Sequence, residues 1–246
     1  MNTAGSHCHA AADRARKAEK ILAILQDYLG TDLHAHACLD VGCSLGIISA
    51  ALSPHFKSMV GVDVDRPAVY QAVETSARRG AETSLSHYAL GSGHSLPFAD
   101  ASFDVVICAQ VYEHVTDQPA LAREVERVLR TGGVCFFSGP NRLAVIEEHY
   151  WLPFLSWLPR PLASAYMRLF KRGQAYDAYP LFYGQIRRLW RNFEIHDYTW
   201  RMLRQPQRFG VGERVEKYPW LSAIPDGVLR GLAPFYPNYN WIMVKR

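Results

Sequence analysis

The stretch Leu39 to Ser49, LDVGCSLGIIS, limits what this chain can fold into more than any other. Cys38, Leu39 and Val41 read as the end of a buried strand, Gly42 and Gly46 let the backbone turn tightly against a ligand, and Ile47, Ile48 and Ala51 begin a helix. A strand, a small-residue turn and a helix in that order make a nucleotide-binding turn, with backbone amides aimed at whatever sits above it. The Lys-Ser/Thr pair of a phosphate loop is missing. Instead Asp40 precedes the first glycine, and a second apolar run, residues 59–64, reaches an acid at Asp63.

The continuation narrows the reading. LPFADASFDVVI at 96–107, EHV at 113–115 and VLRTGGVCFFS at 128–138 follow in that order. Together with Asp-x-Gly-x-x-x-Gly and Asp63, they resemble the motifs of class I S-adenosylmethionine-dependent methyltransferases, in the branch that includes the ubiquinone and menaquinone C-methylases. The resemblance covers about residues 36–141. It implies an α/β fold of Rossmann-like type: a doubly wound, mostly parallel seven-stranded sheet, its last strand antiparallel, with a helical insertion after strand five that builds the acceptor pocket. It also implies S-adenosylmethionine as cofactor.

Each part of that cofactor has an expected partner. Asp63 suits the ribose diol, because a carboxylate accepts from two hydroxyls at once. Asp40, Gly42, Cys43 and Gly46 suit the amino-acid end, with amides toward its carboxylate and an acid toward its ammonium. By the resemblance, Val64, Ser92 and Gly93 flank the adenine and Gln110 faces the methionine portion. Two positions depart from the family pattern. Ser44 stands where glycine is usual, and fits the turn if its φ is negative. Ser92 stands where an Asp is frequent, which removes the usual acceptor for the adenine amino group.

Methyl transfer is an in-line displacement at carbon, so a protein mostly aligns the two reactants and excludes water. A general base helps only an acceptor that starts protonated. His114 is the candidate base, and Glu113, His149 and Tyr150 are candidates for lining the acceptor; a histidine or acid that merely braces a loop is the plainer alternative for each. No metal is expected, since His7, Cys8 and His9 have no matching pair elsewhere.

The 246 residues read as a single methyltransferase domain, 1–246, with a cofactor-binding core at 1–141, an acceptor-pocket or lid insertion at 142–179, and the remaining helix and strands at 180–246, including an irregular segment at 201–237. Expected strands are 59–64, 85–89, 103–108, 134–138, 194–200 and 240–245; expected helices are 9–29, 45–52, 67–79, 117–130 and 183–191. Gly132 and Gly133 read as the turn into strand five, and Pro153, Pro159 and Pro161 break the insertion into short helical pieces.

Charge is unevenly shared. Residues 142–246 hold sixteen Lys and Arg against eight Asp and Glu, a net of +8; with +4 for the whole chain, residues 1–141 carry −4. The basic half suggests an anionic substrate, small or lipid-linked. No amino-methylase motif for nucleic acid is present, and nucleic acid is not an expected partner. Five cysteines, most of them in expected strands, fit a reduced cytoplasmic setting, and the polar N-terminal stretch gives no sign of a signal peptide. Within 149–172, Trp151, Phe154, Leu155, Trp157 and Leu158 precede Arg160, Arg168, Lys171 and Arg172. Apolar anchors beside cations are what a peripheral contact with an anionic membrane requires, while a lid packed on the domain is the plainer expectation. A regulatory, non-catalytic module that keeps the fold but not the cofactor contacts is the alternative function, motivated by Ser44 and Ser92.

Overall fold

The computed structural model describes residues 3–78, 86–147 and 149–246, with side chains described from residue 12 onward except at 214 and 222. The side chains of His7, Cys8 and His9, and the expected helix end and strand start at Arg79, Gly80 and Leu85, thus fall outside what is described.

Helix α1 (Thr3–Leu29) leads into β1 (Ala37–Val41), α2 (Ile47–Leu52), β2 (Ser58–Asp63), α3 (Arg66–Arg78), β3 (Ser86–Leu90) and β4 (Phe103–Ala109). Next come α4 (Gln118–Val128) and β5 (Leu129–Pro140). Among the described residues the strands form one seven-stranded sheet in the order β3-β2-β1-β4-β5-β7-β6, where β6 is Phe193–Asp197 and β7 is Asn238–Lys245. β1 through β5 pair in parallel, and β7 runs antiparallel between β5 and β6. Strand order reverses between β1 and β4, which opens a crevice at their carboxyl ends.

The central strands β1 and β4 are buried on both faces, as a parallel sheet covered by helices requires. Side chains alternate along each strand, so Leu39, Val41, Val106 and Cys108 join the core with α4, while Cys38, Val105 and Ile107 join that with α1. On α4, Leu121, Val125 and Val128 are fully buried, each contributing about 1.5–3 kcal/mol. Its N-terminus is capped by Asp117, whose carboxylate accepts the Ala120 amide at 2.9 Å.

Three boundaries differ from the sequence expectation. α4 stops at Val128, and Leu129 takes an extended conformation, so Leu129 and Arg130 already belong to β5. Gly132, at φ +75°, forms an irregularity inside that strand: Phe103 pairs with Leu129, yet Val105 pairs with Val134. β6 ends at Asp197, whose carboxylate accepts the Thr199 amide at 2.7 Å and starts α7 (Thr199–Arg204). Segment 201–237 is a chain of short helices, including α8 (Gly212–Val215) and α9 (Asp226–Gly231), set apart by Pro206, Pro219 and Pro225.

Between β5 and α6 (Tyr183–Leu189), the insertion folds around its own small core. Leu155, Ala163 and Met167 are fully buried there, the last two on α5 (Arg160–Leu169), which Pro159 and Pro161 introduce.

Candidate functional site

Where β1 runs out, the Gly42 and Cys43 amides donate to the Val62 carbonyl at 2.8 and 3.2 Å, tying the turn to β2. Gly42 (φ +74°) and Gly46 (φ +69°) are both left-handed, and a Cβ on either would lie 2.6 Å from Val111 or 2.5 Å from the Tyr88 ring. Ser44 does not keep the negative φ expected of it. It sits at φ +49°, a conformation that costs a non-glycine residue about 1–2 kcal/mol. The compensation is its amide, which donates to Asp63 Oδ2 at 2.7 Å. The turn therefore closes with serine in place, which removes one motive for a module without cofactor contacts.

Two cavities meet above this turn. The smaller, about 210 Å³, is lined by Gly42, Asp63, Val64, Gly91 and Gly93. The larger, about 420 Å³, is lined by Cys43, Ser44, Ser138 and Asn238, with Arg14, Lys17 and Lys20 from α1. Gly42, Gln110 and His114 line both, so the two are lobes of one cleft.

The smaller lobe fits an adenosyl group. Asp63 Oδ1 accepts the Asp65 amide at 2.9 Å and Oδ2 the Ser44 amide, which fixes the carboxylate and leaves a second lone pair on each oxygen for a hydroxyl. Val64 is 69% exposed, and with Val111 and Val115 it offers apolar walls to a flat ring. Gln110 adopts φ +60°, and its side-chain amide reaches Ser138 Oγ at 3.5 Å.

Several expected residues stand elsewhere. Asp40 lines neither lobe: it shares the side of β1 that carries Cys38, and its buried carboxylate accepts the Ser49 hydroxyl at 2.6 Å. Burial pushes its pKa from 3.8 to about 7, the Ser49 bond opposes that rise and Asp63 adds to it. Gly46 lines a separate cavity beside Tyr88. Ser92 lines neither lobe either, because its hydroxyl is engaged within its own loop, 3.2 Å from the His94 amide and 3.1 Å from His94 Nδ1. Tyr150 donates to Asp177 at 2.6 Å, and burial followed by that bond raises its pKa, so it braces the insertion as a neutral phenol.

The remaining three candidates come together. His114 and Glu113 share the tight turn Tyr112–His114, and His149 arrives from the insertion, its Nε2 3.3 Å from His114 Nε2 and 3.9 Å from Glu113 Oε1. Glu113 is fully buried. Burial and then His149 lower the His114 pKa, against the opposing pull of Asp177 and Glu147, which favours the neutral ring that a proton acceptor needs.

The cations on α1 were missed by the sequence reading, although Arg14, Lys17 and Lys20 recur every three residues, a spacing that puts them on one helix face.

Comparison with known proteins agrees with this geometry. The methyltransferase domain family matches residues 39–137, from β1 into β5. An uncharacterized methyltransferase, YcgJ of Bacillus subtilis, is 35% identical over 98 residues, 40% of this chain and 38% of its own. The ubiquinone biosynthesis O-methyltransferase of Parvibaculum lavamentivorans is 31% identical over 129 residues, 50% of this chain and 48% of its own. The matches thus span about half or less of the length of these relatives. Among solved structures, that of YcgJ superposes with a TM-score of 0.55 at 18% identity, covering 92% of this chain and 98% of the other. The Haemonchus contortus phosphoethanolamine N-methyltransferase 2, solved with phosphomonomethylethanolamine and S-adenosylhomocysteine, gives 0.55 at 20% identity, covering 91% and 52%. The sheet order, the two-lobed cleft at its carboxyl edge and the match over residues 39–137 together identify a methyltransferase-type domain in that part of the chain, on a Rossmann-like fold shared with these structures.

Proposed function

We propose that the chain transfers a methyl group from S-adenosylmethionine to a small-molecule or lipid-linked acceptor that carries an anionic group. The observation behind this reading is the shared border of the two lobes, where Gln110 and His114 face an adenosyl-sized cavity on one side and a cavity bearing Arg14, Lys17 and Lys20 on the other. S-adenosylmethionine, when bound, supplies an electrophilic methyl on a sulfonium. Asp63 would hold the ribose, the expected amide cradle being spent within the protein because the Gly42, Cys43, Ser44 and Gly46 amides donate to Val62, Asp63 and Cys43, while the cations orient the acceptor toward the border. The chemistry the cofactor would supply there is donation of that methyl, the sulfur–carbon bond breaking as the bond to the acceptor forms. Neutral His114 can take the proton of an acceptor that starts protonated. Two relatives lend support: one is named for O-methylation in ubiquinone biosynthesis, and the other is solved with a phosphate-bearing ligand.

Calorimetry with S-adenosylmethionine, followed by methyl-transfer assays on paired anionic and neutral acceptors, tests this. Replacing both Arg14 and Lys17 by Ala should raise KM for the anionic acceptor by about tenfold or more, the scale of one lost charged contact, and leave cofactor affinity alone. Cofactor binding that fails in the parent protein would sink the reading. If the variant instead loses cofactor affinity, those cations serve the cofactor carboxylate and the anionic acceptor is withdrawn.

The insertion supports a second element of this proposal, a peripheral contact with an anionic membrane. Trp151, Phe154 and Trp157 are 72%, 47% and 46% exposed, with Leu162, Leu169 and Phe170 exposed beside them in sequence, while Leu155 and Met167 fill the insertion's own core. A lid packed on the domain would bury the former set. No helix among the described residues is long and apolar enough to cross a membrane.

A further inference from the structure

We propose that Glu113, His114 and His149 form a binding site for one divalent first-row transition cation at the border of the two lobes. One ligand atom from each residue lies within 4.8 Å of the others, and the two imidazole Nε2 atoms are 3.3 Å apart. Donors bonded tetrahedrally at about 2.1 Å stand about 3.4 Å from one another, so the histidine pair already has the required separation. Glu113 Oε1, at 3.9 Å from His149 Nε2, needs to close by about half an ångström to match it.

Glu147 accepts the His149 and Tyr150 amides through Oε2, both at 2.8 Å, and its Oε1 lies 2.8 Å from His149 Nδ1. A carboxylate so placed accepts, which puts the ring proton on Nδ1. The lone pair of a neutral ring is then on Nε2, directed at the gap shared with His114 and the Glu113 carboxylate. A carboxylate behind a histidine is the arrangement that orients metal-bound imidazoles and raises their basicity. Glu147 is almost wholly buried and Glu113 completely so, which holds the arrangement rigid from two sides.

Two nitrogens and one oxygen suit zinc, cobalt or iron(II) better than magnesium or calcium, which prefer all-oxygen sites. Three protein ligands leave positions for solvent or for an acceptor oxygen. Because His114 lines both lobes, a cation here would adjoin the reacting atoms and, as a Lewis acid, could ionise an acceptor hydroxyl, replacing the metal-free His114 ring as the group that deprotonates the acceptor. That role rests on the methyl-transfer reading; the site itself does not. It also departs from the sequence expectation of no metal.

The full chain, stripped with chelator, should take up about one equivalent of cobalt(II) or zinc, read by visible absorption for cobalt and calorimetry for both. His149→Ala and His114→Ala should each weaken uptake at least tenfold, and Glu147→Gln by about 10–100-fold, the usual cost of losing such a support. His149 is near the surface, so its variant tests the site without threatening the core. Absence of saturable uptake overturns the proposal. So does uptake that both histidine variants retain, since that would place the ion elsewhere, for example on His7, Cys8 and His9. S-adenosylmethionine titrated in parallel separates the two readings: failed cofactor binding counts against methyl transfer, and failed metal uptake counts against this site alone.

Discussion

The carboxylate of Asp63 accepts the backbone amide of Ser44 at 2.7 Å across nineteen residues of sequence, so one side chain both faces the smaller lobe and holds the turn beneath it. Asp63→Ala should therefore weaken S-adenosylmethionine binding by roughly 1.5–3 kcal/mol, the range for hydrogen bonds to a charged group. Asp63→Asn keeps an acceptor for the Ser44 amide and should lose less. Calorimetry on both variants checks this, and unchanged affinity in a folded Asp63→Ala protein would remove the ribose assignment.

Asp40 gives a pH dependence of stability. Its folded-state pKa, raised by burial to about 7, lies above the 3.8 of the free group, so the folded chain holds this proton more tightly than the unfolded one. The stability it confers is complete below about pH 4 and is lost as pH rises toward 7. About three pKa units correspond to a loss on the order of 4 kcal/mol at alkaline pH. In Asp40→Asn, which can still accept the Ser49 hydroxyl, that contribution should vanish. Urea unfolding at pH 5 and pH 8 should show the variant gaining on the parent only at the higher pH. A difference between the two proteins that is the same at both values would refute the assignment.

The exposed aromatics of the insertion predict a salt-sensitive association. The protein should co-sediment with phosphatidylglycerol vesicles at low ionic strength and detach as salt screens the cations. Trp151→Ala should lower binding at every salt concentration, and Lys171→Glu with Arg172→Glu should lower it chiefly at low salt. Protein that stays in the supernatant throughout would leave the segment as a cover for a dissolved substrate.

What could be read from the sequence was local. The strand, turn and helix around Gly42 and Gly46 announce themselves through residue types that few other structures demand, and the motifs that follow carry the sheet order. The direction of the Asp40 side chain follows from strand alternation, which the motif alone does not convey. The φ of Ser44 depends on an acceptor at the end of another strand. The start of β5 is set by its pairing with Phe103 rather than by the amphipathic pattern of α4, which runs on smoothly into Arg130. His114 and His149 were each visible as candidates, but their meeting is a tertiary event across thirty-five residues.

The larger lobe draws Arg14 from the first helix and Asn238 from the last strand, which itself must insert between β5 and β6. Contacts so distant in sequence require most of the chain to close on itself, so the lobe is complete only once the last strand has docked. A chain stalled with β7 undocked could retain the glycine turn and the Asp63 carboxylate, yet would lack one wall of the acceptor side. Cofactor affinity and acceptor turnover would then recover at different rates on refolding, the second tracking the arrival of the final strand.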